Sequence, residues 1–511
     1  MLQIKHLTIK DLKNHTLMED FNFSLGHNDK VGIIGEEGNG KSTLLKAIKQ
    51  KTSIEEYTAI SGSIETDFRQ IAYFEQQIHP KWEKAQIYEY LLKKEPEDEI
   101  PVEKYNDLRE YERLCQKLFL PADFIQRDQC IQTISGGERV KLQLLKLMRE
   151  PMELLLLDEP TNDLDIETLV WLEQFMNSLT IPVMFISHDE TLLEHIANVV
   201  IHLEQLNKKT TCKTTVYRGS YREYVAQRYA SREKEIQIAQ KEKQDYIKKK
   251  IKLNDQMNAV HDALNDTVRN PGMGALLKKK MKNIKAQEKR FEKESYGHVD
   301  SIEEAMDVFF APCALPSSKV ILELEQERLM IQDHCLIQNL KLFLYGKDKV
   351  VITGRNGCGK SLLMKLIYEQ LKDRKDIRLC YMPQNYTDFF LSEDTPISFL
   401  MTGEDKEERT VVRELLGRMK FTREEMEHSV WDLSEGQKAK LYLIKAIKNQ
   451  SNVLLLDEPT RNLSPLTNPV IRKILKAFDG CILSVSHDRK FIEEVAEIQY
   501  HIENQTLYRI E

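Results

Sequence analysis

No stretch of the 511 residues approaches the ~18 consecutive apolar residues that a membrane-spanning helix needs, and mean hydropathy is −0.48. A transmembrane span is therefore excluded. The opening MLQIKHLTIKDL carries charges throughout and has no apolar core, so no signal peptide is expected. The eight cysteines, Cys115, Cys130, Cys212, Cys313, Cys335, Cys358, Cys380 and Cys481, include no C-x-x-C pair. That removes zinc ribbons, iron–sulfur modules and thioredoxin-type sites, and leaves free buried thiols as the expectation. The excess of positive charge typical of nucleic-acid binders is missing too: Lys+Arg number 74 against 81 Asp+Glu, a net of −7. The length suggests about three domains, each large enough to bury its own core.

The chain contains one module written twice. DKVGIIGEEGNGKSTLLKAI (29–48) returns as DKVVITGRNGCGKSLLMKLI (348–367), and ISGGERVKLQLLKLM (134–148) as LSEGQKAKLYLIKAI (433–447). ELLLLDEPTNDLD (153–165) returns as NVLLLDEPTRNLS (452–464), and VMFISHDE (183–190) as ILSVSHDR (482–489). Ser135 to Ser434, Asp158 to Asp457 and His188 to His487 are each 299 positions apart, whereas Lys41 to Lys360 is 319. The first copy therefore carries about 20 extra residues between its glycine loop and Ser135.

Each copy has the residues of a phosphate loop, G-x-x-x-x-G-K-S, between an apolar strand and a helix. In the first copy these are Gly35, Gly38, Gly40, Lys41 and Ser42, with Thr43 beside them. In the second they are Gly354, Gly357, Gly359, Lys360 and Ser361. Glycines let backbone N–H groups close around phosphate oxygens, and the following helix adds its positive N-terminus. Lys41 and Lys360 are expected to reach the β- and γ-phosphates of ATP, and Ser42 and Ser361 to ligate Mg²⁺. The apolar runs at 154–157 and 453–456 read as buried parallel strands. Asp158 and Asp457 at their ends are expected to hold Mg²⁺ through water, and Glu159 and Glu458 to polarise the attacking water.

GxxGxGKS, the S-G-G-E and S-E-G-Q segments, LLLLDEPT and SHD, in that order, resemble the ATP-binding cassette ATPases. The resemblance implies an α/β fold: two tandem P-loop nucleotide-binding domains that pair head to tail within one monomer. It also implies that Ser434 and Gly436 complete the site of Lys41, and that Ser135, Gly136 and Gly137 complete that of Lys360. Gln76, with Gln77 as an alternative register, and Gln384 resemble the Q-loop glutamines. His188 and His487 resemble the switch histidines. The copies differ: Asp165 of the first corresponds to Ser464 of the second, and Gly136 to Glu435. Two chemically unequal sites with unequal hydrolysis rates are expected.

Between the copies lies a lysine-rich stretch with one proline. Ile236, Ala239, Lys243, Tyr246, Lys250, Leu253, Met257, Val260 and Leu264 recur at 3–4 spacing, and a second seam runs Leu277, Met281, Ile284, Glu288, Phe291. Asn270, Pro271, Gly272 and Gly274 read as helix stoppers between them. An antiparallel helical hairpin is predicted, its first helix about 40 residues and ~60 Å long. The expected domains are 1–224, 225–310 and 311–511. Residues 225–293 hold 18 Lys+Arg and nine Asp+Glu, a net of +9, which leaves −16 for the rest.

Cassette, charged linker, cassette resembles the ABC-F translation factors, as does YRGSYREY (217–224) leading into the linker. That likeness implies a cytoplasmic partner of the 70S ribosome that enters the E site with ATP bound. Its hairpin would meet 23S rRNA and P-site tRNA, with no membrane and no DNA involved. Val268, Arg269, Met273, Lys278, Lys279 and Lys280 are the candidate RNA contacts. Gln76 to Ser135 spans 59 residues and Gln384 to Ser434 spans 50, which leaves little room for the extra arm of housekeeping members. TRNLSPLTNP (460–469) resembles the same segment of antibiotic-resistance members. Protection of the peptidyl-transferase centre from lincosamides, pleuromutilins and streptogramin A is therefore expected. The alternatives are a housekeeping ABC-F factor and, more remotely, a soluble transporter subunit.

Overall fold

The computed structural model describes the chain except residues 13, 150, 207–210, 267–270, 292–308, 311, 313–314, 332–333, 404 and 511. It divides into two compact units: Met1–Tyr221 with Glu303–Glu511, and Arg222–Ile302.

The first unit holds both copies of the repeat. In the N-terminal copy a six-stranded sheet runs Ile71–Phe74, Leu154–Asp158, Val183–Ile186, Lys30–Gly35, Val199–Leu206, Thr211–Arg218. The first five are parallel and the last is antiparallel. Strands covered on both faces can be apolar at every position, and 154–157 and 183–186 are fully buried Leu, Val, Met, Phe and Ile. The C-terminal copy repeats this order with Leu379–Met382, Val453–Asp457, Cys481–Val485, Lys349–Gly354, Ile498–Glu503 and Thr506–Ile510. These are tandem nucleotide-binding folds of the α/β class. In both, the glycine loop leaves the strand at which the chain's crossovers reverse direction, where ligands sit in open α/β sheets.

An antiparallel pair flanks each copy: Leu2–Asp11 with Thr16–Leu25, and Val320–Ile331 with His334–Tyr345. The N-terminal copy adds a third strand, Thr58–Thr66. This strand accounts for part of the 20-residue excess, because Lys41 to Gln76 is 11 positions longer than Lys360 to Gln384. Among the described cysteines Cys115, Cys380 and Cys481 are buried and four are half-buried, and all are free. Cys313 lies outside the described residues.

The second unit is helical. Tyr221–Asp266 forms one helix of 46 residues, about 70 Å at ~1.5 Å per residue, and Pro271–Phe291 forms another of 21. Here the structure corrects the sequence reading. Pro271 starts the second helix, and Gly272 and Gly274 lie inside its first turns. A first-turn proline loses no hydrogen bond and brings a preset φ, so it nucleates where an interior proline would break. Val260 and Ile284, both seam positions, are buried.

Leu156 and Leu455 are fully buried in the central sheets. Leu156→Ala or Leu455→Ala should each destabilise its own copy by about 2–5 kcal/mol, read as an earlier urea transition.

Candidate functional site

The glycine loops take the shape that phosphate binding requires. Gly35 and Gly354 approach a neighbouring strand so closely that a Cβ would lie 2.4 Å from the Leu203 carbonyl oxygen and 2.7 Å from that of Ile502. Gly38 and Gly357 have φ near +80°, where L side chains are disfavoured. Gly40 and Gly359 cap the helices Lys41–Lys49 and Lys360–Leu371 in the left-handed region. Lys41 is buried, and its Nζ donates to the carbonyls of Gly35 (2.8 Å) and Glu36 (2.9 Å). Lys360 does the same with Gly354 (2.7 Å) and Arg355 (2.9 Å). Burial lowers the Lys41 pKa, opposed by nearby Glu159 and Glu37. Thr43 sits in the first turn of its helix.

Asp158 and Asp457 end fully buried strands. Ser42 Oγ donates to Asp158 Oδ1 (2.9 Å) and the Tyr73 hydroxyl to Oδ2 (3.0 Å). In the other copy both Asp457 carboxylate oxygens are buried without a hydrogen-bond partner, as is the Tyr381 hydroxyl. Ser361 Oγ donates instead to Gln384 Oε1 at 3.4 Å. Burial raises the pKa of both aspartates. A buried, unpartnered carboxylate beside a serine hydroxyl is a setting that a hard cation would satisfy.

The glutamates that follow adopt left-handed backbone, φ +52° at Glu159 and +55° at Glu458. Such strain in a non-glycine residue is retained where a side chain must be aimed. Glu159 accepts from Gln76 Nε2 (2.8 Å) and Asn162 Nδ2 (2.7 Å), with His188 Nε2 at 3.4 Å. Gln76 is thus the residue of its pair that reaches the carboxylate. Glu458 accepts from the His487 backbone N–H (3.2 Å), with His487 Nε2 at 3.7 Å. The two carboxyls are electrostatically opposite. Burial would raise Glu159, but bonding and charge from His188, then Lys41 and Asn162, hold it at about 2. Burial beside Asp457 pushes Glu458 up to about 8, and burial lowers His487 to about 3.

The copies complete each other. A cavity of about 410 Å³ brings Ser135, Gly136 and Gly137 together with Gly357, Gly359, Lys360, Ser361, Gln384, Asp457, Glu458 and His487. Asn356 Nδ2 donates to the Asp163 carbonyl, and Arg461 pairs with Asp163 at 2.7 Å. The corresponding contact between Ser434, Gly436 and the first glycine loop leaves only about 20 Å³. There the Gly436 N–H donates to Glu37 Oε2 at 3.2 Å, and Lys440 Nζ reaches Glu36 Oε1 at 3.2 Å. His188 Nδ1 lies 2.8 Å from the Leu463 carbonyl. Ser135 and Ser434 cap their helices, each paired with the residue three positions on, Glu138 or Gln437.

A sequence profile of the ABC transporter family matches residues 18–162 and 337–461, more than half the chain. The chain belongs to the ABC transporter ATPase family. Its two cassettes are ATP-binding, ATP-hydrolysing modules. The ATP-binding protein Uup of Buchnera aphidicola is 28% identical over 96% of this chain and 79% of its own length. ABC transporter F family member 5 of Arabidopsis thaliana is 25% identical over 98% and 74%. The fold also matches that of the archaeal ribosome recycling factor aABCE1, solved with ribosomal stalk protein aP1. That match has a TM-score of 0.56 and 15% identity, and covers 98% of this chain and 89% of the other.

Sequence reasoning passed over Glu36 and Glu37, although the repeat offered the signal: they stand where the second cassette has Arg355 and Asn356. Tyr73 and Asn162 were likewise missed, because their partners are set by strand pairing and turn geometry. Of the six candidate RNA contacts, Lys278, Lys279 and Lys280 are exposed on the helix Pro271–Phe291. Met273 lies in the same helix, and Val268 and Arg269 lie outside the described residues. They belong to the compact unit Arg222–Ile302, and the cassette residues to the other.

Glu37 holds an anionic group on the N–H that a γ-phosphate would need. Glu37→Asn, made with Lys360→Ala to silence the other site, should tighten ATP binding at Lys41 by roughly tenfold, measured by fluorescent-nucleotide titration.

Proposed function

We propose that this protein is a ribosome-binding ATPase of the ABC-F type that protects the peptidyl-transferase centre from lincosamides, pleuromutilins and streptogramin A. ATP closes the two cassettes, and hydrolysis drives release. The observation that carries this reading is that, in chain order, a helical unit with a net charge of +9 over 225–293 separates the two cassettes. Among the described residues no helix is long and apolar enough to cross a membrane. The likeness to an F family member and to the fold of a ribosome recycling factor supports the same direction. The domains proposed remain 1–224, 225–310 and 311–511.

Lys41 and Lys360 hold the β- and γ-phosphates, with the loop N–H groups around them. Ser42 with Asp158, and Ser361 with Asp457, fit Mg²⁺, which when bound neutralises phosphate charge. Glu159 and Glu458 orient the attacking water from their strained turns, with Gln76 and Gln384 beside them. His188 and His487 face the γ-phosphate position. Ser135, Gly136, Gly137, Ser434 and Gly436 bring backbone donors to it from the opposite cassette. Lys278, Lys279 and Lys280, with Val268, Arg269 and Met273, contact rRNA or tRNA. The chain acts as a monomer in the cytoplasm, without DNA.

Glu159→Gln combined with Glu458→Gln should slow hydrolysis roughly 100-fold or more and leave ATP binding intact. The double variant should then co-sediment with 70S ribosomes in ATP, and failure to do so would overturn ribosome binding. A second reading, a housekeeping ABC-F factor, draws on full-length similarity to Uup. Inhibitory concentrations of the three drug classes, in a sensitive bacterium expressing wild type or a 265–275 deletion, separate the two. Resistance that the deletion abolishes supports protection; no resistance from the wild type supports the housekeeping role.

A further inference from the structure

Beside the nucleotide cavity, the two cassettes also meet through a cluster of charges. Arg472, on the helix Asn468–Lys476, is only 2% exposed. It forms a bidentate pair with Glu190 of the first cassette, Nη1 at 2.6 Å and Nη2 at 3.2 Å. Arg489 Nη2 bonds Glu173 and, at 3.1 Å, Asp189. Lys490 Nζ reaches Glu190 at 3.3 Å and also Glu194. In these pairs the second cassette supplies every cation and the first every carboxylate.

The offset of 299 exposes the logic. Glu173 corresponds to Arg472, and Glu190 corresponds to Arg489. Glu173–Arg489 and Arg472–Glu190 are therefore one contact seen twice across the pseudo-two-fold axis, with its polarity inverted. The neighbours are inverted as well. His195 Nδ1 lies 3.2 Å from Glu173, and Glu494 accepts from Arg472 Nε at 3.0 Å, again at equivalent positions. Two N-terminal cassettes paired in this way would set Glu173 against Glu190 twice. Two C-terminal cassettes would set Arg472 against Arg489 twice. Like charges brought together away from water repel strongly, whereas buried bidentate Arg–carboxylate pairs fix partner and orientation. The phosphate loops, signature helices and DEPT turns recur in both copies, and the pairs they add, Lys440–Glu36 and Arg461–Asp163, have the same polarity. We propose that Glu173, Glu190, Arg472 and Arg489 form a charge code: it makes the N-terminal cassette accept only a C-terminal cassette as its partner, and it rejects pairing of like cassettes.

Exchanging the code between cassettes tests this in the full chain. Variant A carries Glu173→Arg, Glu190→Arg, Thr191→Lys and His195→Glu. Variant B carries Arg472→Glu, Arg489→Glu, Lys490→Thr and Glu494→His. Variant AB carries all eight and rebuilds the same cluster upside down. None of these residues belongs to the nucleotide sites, and the readout is ATPase turnover, independent of any ribosome role. A and B alone should each lose about tenfold or more in kcat, and AB should recover to within about threefold of wild type. An equimolar mixture of A and B should regain activity, with a two-chain mass by light scattering in a non-hydrolysable ATP analogue. Wild-type activity in A or B, or an AB variant with a native melting profile that is no better than A, would overturn the code. If A or B melts early by itself, the mixture decides: recovery on mixing upholds the proposal and no recovery overturns it.

Discussion

The N-termini of the helices Gly136–Arg149 and Glu435–Lys448 meet the glycine loop of the opposite cassette, and the partial positive charge of a helix N-terminus favours an anion there. Everything else at the two sites follows from how that preference is met. Where Lys360 sits, the position opens into a cavity of about 410 Å³, large enough for phosphate groups. At the first glycine loop, Glu37 supplies a carboxylate to Gly436, and the space between them and Ser434 is about 20 Å³. One cassette pair thus contains an open cavity at Lys360 and, at the first loop, a helix N-terminus met by a side chain of that loop.

The carboxylates behind the loops carry the same asymmetry. Asp158 accepts from Ser42 and Tyr73, and Glu159 from Gln76 and Asn162, so the carboxylates behind the first loop sit in a hydrogen-bond network. The Asp457 carboxylate oxygens have no hydrogen-bond partner within normal distance, with Lys360 and Arg461 nearby, and burial beside Asp457 pushes Glu458 up to about 8. Burying carboxylates with few hydrogen bonds is costly, and the carboxyls behind Lys360 have fewer hydrogen-bond donors than those behind Lys41. The expectation of two chemically unequal sites thus gains a physical form, in residues other than the Ser464 and Glu435 that first suggested it.

Much of the cassette fold could be read from the chain because its signals are local. The strands at 154–157 and 453–456 announce themselves as uninterrupted apolar runs, and the glycine loops as fixed spacings between strand and helix. The linker was legible as helix from its seams, but not where its helices begin. Pro271, Gly272 and Gly274 are stoppers by composition, and a helix start by position, because a first turn has no hydrogen bond for proline to break. Glu36 and Glu37 could have been noticed by laying one copy on the other. What they bond could not, since Gly436 is 399 residues from Glu37 in the chain.

The sequence by itself determined that there are two P-loop modules, which residues line each loop, and that one basic stretch separates them. These are matters of spacing and composition, and they survive any arrangement of the modules in space. Only the tertiary structure decided which loop's glutamate bonds the opposite helix and which aspartate lacks hydrogen-bond donors. It alone set Arg472 against Glu190 and Glu173 against Arg489. The reason is that charge acts through distance and burial: a carboxylate has no definite role until the fold sets what stands within a few ångströms of it and how much water is left between.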